Sequence, residues 1–207
     1  MLFRSCERLV GKPVVQAARQ LRQRQGAPLG DVFSFVSGLY FRGKLAYARR
    51  FAQPPDRQDP VTACGVLVIT PNAGLRASDT RVTLSSFAGF ADVDIDITNR
   101  AYRLPPERGA RALLAAVGPE CDLVLLGSIA SGKYVETLLP IFGSRLMFPS
   151  DFVGRGDMSR GGLMLRCVDA GTELRYEPVD GAVRRGTRPP KLAPRRSAGS
   201  EGPGLQR

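Results

Sequence analysis

The stretch LVLLGSIASGKYVETLL, residues 123–139, narrows the choice of fold more than any other part of the chain. An apolar run of strand length meets a small-residue turn, GSIASGK, and then a segment at helical spacing. A strand feeding a helix through a short turn is the repeating unit of α/β proteins. The turn also carries G-x-x-x-x-G-K, the spacing of a phosphate-cradling loop. The same spacing occurs in FSFVSGLYFRGKLAYARRF (33–51), with Gly38, Gly43 and Lys44 in register.

The rest of the chain is read around that unit. PVVQAARQLRQRQ (13–25) has Val14, Ala17, Ala18 and Leu21 on one helical side, and GAPLG breaks the chain after it. VFSFVS (32–37) reads as a short buried strand, and FRGKLAYARRFA as a helix with Leu45, Ala48 and Phe51 inward. ACGVLVITP (63–71) is a second strand, followed by a turn, NAGLRASDT. GFADVDIDITN (89–99) alternates as a half-exposed strand, Val93, Ile95 and Ile97 on one face and Asp92, Asp94 and Asp96 on the other. LPPERGARALLAAVG fits a helix that stops at Gly118, and RLMFP (145–149) a short strand. SDFVGRGDMSRGG reads as a Gly-rich loop, with LMLRCV and ELRYEPV as a closing hairpin through DAGT.

This order predicts an α/β fold: three-layer, Rossmann-like, a mostly parallel sheet with a C-terminal antiparallel hairpin. Residues 1–30 form a basic N-terminal helical segment, 31–180 a single α/β domain, and 181–207 a disordered basic tail rich in Pro, Gly and Ser. The net charge of +11 favours anionic partners, although RRGTRPPKLAPRRSAGSEGPGLQR concentrates much of it in the tail. The chain contains no histidine, which removes Ser-His-Asp and Cys-His nucleophiles and imidazole-held metals. Its four cysteines, Cys6, Cys64, Cys121 and Cys167, have no C-x-x-C pairing and read as small buried thiols. No metal or cofactor is expected. Apolar runs fall short of a membrane span and no secretory h-region is read, so the expected location is the cytoplasm, with no membrane partner.

Three constellations carry possible chemistry. In Walker-type loops the residue after the lysine is Ser or Thr and holds magnesium; here it is Leu45 or Tyr134. A magnesium-free anion site built on Gly127, Ser128, Ser131, Gly132 and Lys133 remains open beside a plain strand-to-helix turn, with Lys44 as a further anion contact. GRGDMSRGG (154–162) offers glycines for an anion nest, with Arg155 and Arg160 to fork onto phosphate. Asp157 in it would orient an arginine or act as a base, against the alternative of an Arg–Asp paired surface loop. The aspartate row is spread too widely to converge on one ion, at roughly 7 Å between alternate Cα atoms. Asp96 is its candidate acid or base. Tyr40 and Tyr134 are candidates for stacking on a base, against packing on the sheet.

In its order of motifs, GLYFRGKLAYARRFA, then VLVITPNAGL, then LVLLGSIASGKYVETLLPIFG, the chain resembles small bacterial α/β proteins. These are the peroxide-stress-resistance proteins implicated in DNA binding, together with relatives linked to nucleic-acid modification. The resemblance spans roughly residues 33–162; where that group has SAKYGL, this chain has TPNAGL. It implies a nucleic-acid-related role with contacts from Tyr40, Asn72, Lys133 and the 154–162 loop. The leading expectation is a protein binding a nucleotide or nucleic acid through turns at strand carboxyl ends. The alternatives are a metal-independent enzyme on a small phosphorylated metabolite, and a non-catalytic protein docking through its basic tail.

Overall fold

The computed structural model of the chain describes residues 16–193. After a helical segment over 16–21, its helices are α1 Leu29–Val36, α2 Gly38–Phe51, α3 Leu84–Ala88, α4 Arg100–Ala116, α5 Gly132–Phe142 and α6 Asp157–Ala170. The strands are β1 Ala27–Pro28, β2 Leu67–Thr70, β3 Gly74–Ala77, β4 Arg81–Val82, β5 Leu123–Val124, β6 Leu146–Pro149 and β7 Tyr176–Pro178. They form three small sheets: β1 with β4, β2 with β3, and β5–β6–β7. No described helix is long and apolar enough to cross a membrane.

The three-layer Rossmann-like sheet is therefore absent. Among the described residues one pairing is parallel, Leu123↔Leu146 and Val124↔Met147 between β5 and β6, and the other pairings are antiparallel. The βαβ unit that dominates the sequence is real, but it does not propagate. The segment expected as a strand, 32–37, is instead the body of α1 and its C-cap Ser37, with Leu29, Val32 and Phe33 sharing one face at helical spacing. Phe33 there packs against Phe41, Phe87 and Phe90, with ring centroids at 5.4, 5.6 and 6.0 Å. Residues 89–99 form no strand. Asp96 accepts from Thr98 N and Asn99 from Ala101 N, so these side chains bind their own backbone in place of a ladder partner.

The expected C-terminal hairpin is also absent. DMSRGG and LMLRCV run together as the start and body of α6, with Gly156 as its N-cap and only Gly154 to Gly156 of GRGDMSRGG left outside the helix. DAGT ends the helix: Gly171 sits at φ 64°, donating to the Cys167 and Val168 carbonyls, and Thr172 N donates to Cys167 O. That is a glycine helix stop. β7 then pairs with β6, through Phe148↔Glu177, instead of with its sequence neighbour.

Glycine explains the contact that organises this half of the molecule. A Cβ at Gly43 of α2 would lie 2.7 Å from Gly161 O, and one at Gly161 of α6 would lie 2.9 Å from Tyr40 Cα. The two helices cross backbone to backbone. Beside the crossing, Tyr47, Phe152, Met164 and Leu174 form a buried cluster. A hydrogen-bond relay ties it down: Leu174 N donates to Tyr47 Oη (2.8 Å), which bonds Tyr176 Oη (2.7 Å), which donates to Glu173 (2.7 Å). A larger core lies between α4, α5 and the β5–β6 pair, around Ala110, Leu113, Val135, Leu138, Leu146 and Phe148.

Residues 184–193 carry no regular structure. They lie against the start of α6: Gly154 faces the Thr187 carbonyl, Gly186 faces Val153, and Arg166 donates to Ala193 O. Cys6, Val14 and the tail beyond residue 193 lie outside the described residues.

Candidate functional site

Tyr40 and Lys44 lie one turn apart on α2, so they share a face. The Tyr40 hydroxyl donates to Leu126 O at 3.1 Å, fixing α2 to the chain just beyond β5. Lys44 Nζ sits 3.9 Å over the Tyr40 ring. From α6, Arg160 reaches the same place. Its Nε donates to Phe152 O (3.2 Å), its guanidinium lies 5.7 Å from the Phe152 ring, and Nη1 is 3.5 Å from Asp157 Oδ1. The Arg160 side chain is 10% exposed whereas that of Asp157 is 66% exposed, so the cation is buried and the carboxylate faces solvent.

Burial sets the electrostatics. It lowers the Lys44 amine to about 8; Arg160 pushes the same way, and Asp157 opposes both. It raises the Tyr40 phenol to about 12, against a lowering influence from Arg160. Tyr134, at the start of α5, is raised first by burial and then by the charge of Asp157. Tyr40, Lys44, Tyr134, Asp157 and Arg160 thus come together, although only Tyr134 comes from a strand-to-helix turn. Lys44 is mid-helix, and Gly43 serves the α2–α6 crossing instead of a phosphate cradle. Arg160 is a helical residue and not part of a nest.

The turn after β5 flanks this cluster. Gly127 lies close to the Tyr134 ring, and Ser128 Oγ accepts from Ala130 N at 3.3 Å. Ser131 is the N-cap of α5 but makes no side-chain capping bond, leaving the first-turn N–H groups at Gly132 and Lys133 without one. Lys133 O accepts from the Tyr102 hydroxyl at 3.4 Å. Tyr102, 1% exposed and raised to about 12 chiefly by burial, joins α4 to the start of α5. Nothing but its helical spacing marks it in the sequence.

The remaining candidates stand elsewhere. Asp96 is on the exposed 89–99 segment, held low by Thr98 with a further contribution from the Lys133 charge. Arg155 is engaged locally, donating to Asp151 O at 2.9 Å and reaching Ser159 Oγ at 3.4 Å. Asn72 Nδ2 donates to Gly89 O at 2.6 Å, tying the β2–β3 turn to the end of α3. Among the described residues no group of His, Cys, Asp or Glu is placed to hold a metal ion. Comparisons with protein-family models, curated proteins and solved structures find no match.

The chemistry of the cleft follows from its charges. Two desolvated cations, Lys44 and Arg160, lie with the Asp157 carboxylate and the phenols of Tyr40 and Tyr134. The first turn of α5 lacks a Ser131 cap, and the Glu136 carboxylate lies against Gly132 there. A phosphate or carboxylate entering here gains charge-assisted hydrogen bonds and completes a cation-rich site.

Proposed function

We propose that this cleft binds the phosphate of a nucleotide or nucleic acid. The observation supporting this most directly is the burial of Lys44 and Arg160 together, with Asp157 as their shared carboxylate. A buried like-charged pair is costly, and an anion between them offsets that cost. Lys133 and the free N–H groups of α5 extend the anion contacts. Tyr40 and Tyr134 supply aromatic faces for a base. The resemblance read in the sequence implies the same class of ligand.

Binding on this reading needs no magnesium, because the residues after Lys44 and Lys133 are Leu45 and Tyr134. The test is thermal stabilisation of the full chain by nucleotides, short oligonucleotides and inorganic phosphate, each with and without magnesium. A bound ligand at a hundredfold excess over its dissociation constant stabilises by about 2.7 kcal/mol. The expected shift is magnesium-independent, falls in Lys133→Ala and Lys44→Met, and weakens as pH rises through 8, where Lys44 loses its proton. No shift with any of these compounds overturns the proposal.

The depressed Lys44 amine favours a second reading. An amine titrating near pH 8 beside Asp157 is an acid–base pair suited to a small phosphorylated metabolite. Stabilisation by monomeric phosphate esters but not by oligonucleotides supports that reading over the first.

A further inference from the structure

At the far end of α2 lies a groove of about 340 Å³ that the cleft does not include. It is walled by Arg49 and Arg50 from the last turn of α2 and Arg57 from the following loop, over Cys64, Ser78 and Asp79. We propose that this groove is a second, independent phosphate-binding site.

The charge balance carries the argument. Arg49 is fixed by Asp31 at 2.9 Å, while Arg50 and Arg57 form no ion pair among the described residues. The nearby loop carboxylates keep their charge but are held in turns by their own backbone and, among the described residues, ion-pair with none of the three arginines. Asp56 accepts from Gln58 N, and Asp59 accepts from Val61 N and Thr62 N. Asp79 is the one carboxylate on the lining, against the two guanidiniums that have no ion pair, Arg50 and Arg57. The helix dipole accounts for cations at the end of α2, but Arg57 is not on that helix and still faces the same space.

The floor is built. Ser78 is 2% exposed, its N–H donates to Val66 O, and its Oγ lies 3.6 Å from Cys64 Sγ. Cys64 Sγ donates to Val66 O at 3.3 Å. Gly65, at φ 62°, permits the turn that brings this floor under Pro54. Two unpaired guanidinium forks over a fixed polar floor match the tetrahedral oxygens of phosphate better than a point charge would. The volume sits at the low end for small-ligand pockets, the size of a phosphate ester or one nucleotide unit of a longer strand.

Cys64 is a reporter inside the groove. In the full chain, peptide-resolved iodoacetamide labelling would follow Cys64 and Cys121 with inorganic phosphate, a nucleoside monophosphate or a short single-stranded oligonucleotide. The expected result is slowed labelling of Cys64 and unchanged labelling of Cys121. Arg50→Gln and Arg57→Gln, both at exposed positions, should each raise the half-protecting concentration roughly tenfold. Lys44→Met should leave it unchanged. Protection by the monophosphate identifies a free ester as sufficient; protection by the oligonucleotide alone assigns the site to nucleic-acid backbone. If no probe protects Cys64, or if protection follows Lys44 and ignores Arg57, the groove is not a phosphate site, whatever the cleft binds.

Discussion

Gly43→Ala tests the central claim about the fold, that α2 and α6 meet through backbone. Two effects of opposite sign compete. Alanine gains about 1 kcal/mol over glycine inside a helix. Against this, the new methyl would sit 2.7 Å from Gly161 O and 2.9 Å from Gly161 Cα, where ordinary contact begins at 3.4 Å. Both atoms are main chain, so no side-chain rotation relieves the clash and the helices must separate. Overpacking of this kind costs about 1–3 kcal/mol, and a backbone clash belongs at the upper end. The net expectation is a loss of about 1–2 kcal/mol, or a melting temperature lower by roughly 2–8 °C for a chain of this size. Gly162→Ala is the paired control. It lies on α6 directly after Gly161, and its methyl meets only the Arg166 guanidinium at 3.1 Å and Leu192 at 3.9 Å. It should be neutral or stabilising by up to about 1 kcal/mol. Urea denaturation and calorimetry of both variants decide the matter. A Gly43→Ala protein as stable as its parent would refute the close crossing and reopen a loop role for this glycine.

Three further outcomes follow from buried polar groups. Tyr47→Phe removes the hydroxyl that accepts from Leu174 N and bonds Tyr176, so unfolding free energy should fall by about 1–3 kcal/mol in urea titration. Thr70→Val should cost a similar amount, about 1–3 kcal/mol, because the fully buried Thr70 Oγ1 donates to Gly74 O and accepts from Ala73 N. Lys44 titrates near 8 when folded and at 10.5 when unfolded, so between those values the unfolded chain holds more protons and stability rises with pH. Below 8 the full cost of its buried charge is present. Lys44→Met should therefore be more stable than the parent at pH 7, with an advantage that shrinks between pH 8 and 10; an advantage that stays flat counts against the burial of this amine. Tyr40 does not confuse that window, since its raised phenol acts only above 10.

Long segments with helical period were legible in the sequence. The helix at 132–142, the strand at 146–149, the parallel pairing across α5 and the body of the helix after Pro106 follow from local pattern. That last helix in fact starts at Arg100, a turn before the prolines expected to open it, and ends at Ala116. Short apolar runs were not. VFSFVS has strand composition, and only its packing against Phe41, Phe87 and Phe90 makes it helical. Gly154 and Gly156 are the loop residues they look like, whereas Gly161 and Gly162 are helical, and the contact that accounts for Gly161, with Gly43 of α2, lies more than a hundred residues away. Lys44, Tyr40, Asp157 and Arg160 were found as residue types, but Lys44 through a loop spacing that turns out to be a helix. These residue types were singled out in the sequence; the helix crossing that brings them together was not.

That scaffold also explains why the cations are buried. Lys44 directly follows Gly43, and Arg160 directly precedes Gly161. The glycine pair that lets two backbones touch thus carries a cation on each helix beside the point of closest approach. Close approach excludes water, which lowers Lys44 towards neutrality and leaves the buried Arg160 dependent on Asp157 and the Phe152 carbonyl. Helix packing and cleft electrostatics therefore rest on one contact. A methyl at Gly43 that pushes the helices apart should also rehydrate Lys44 and move its titration back towards 10.5, so the stability of Gly43→Ala should vary less with pH between 8 and 10 than that of the parent. If the variant is destabilised but keeps the parent's pH dependence, the crossing is real and the burial of Lys44 has another cause.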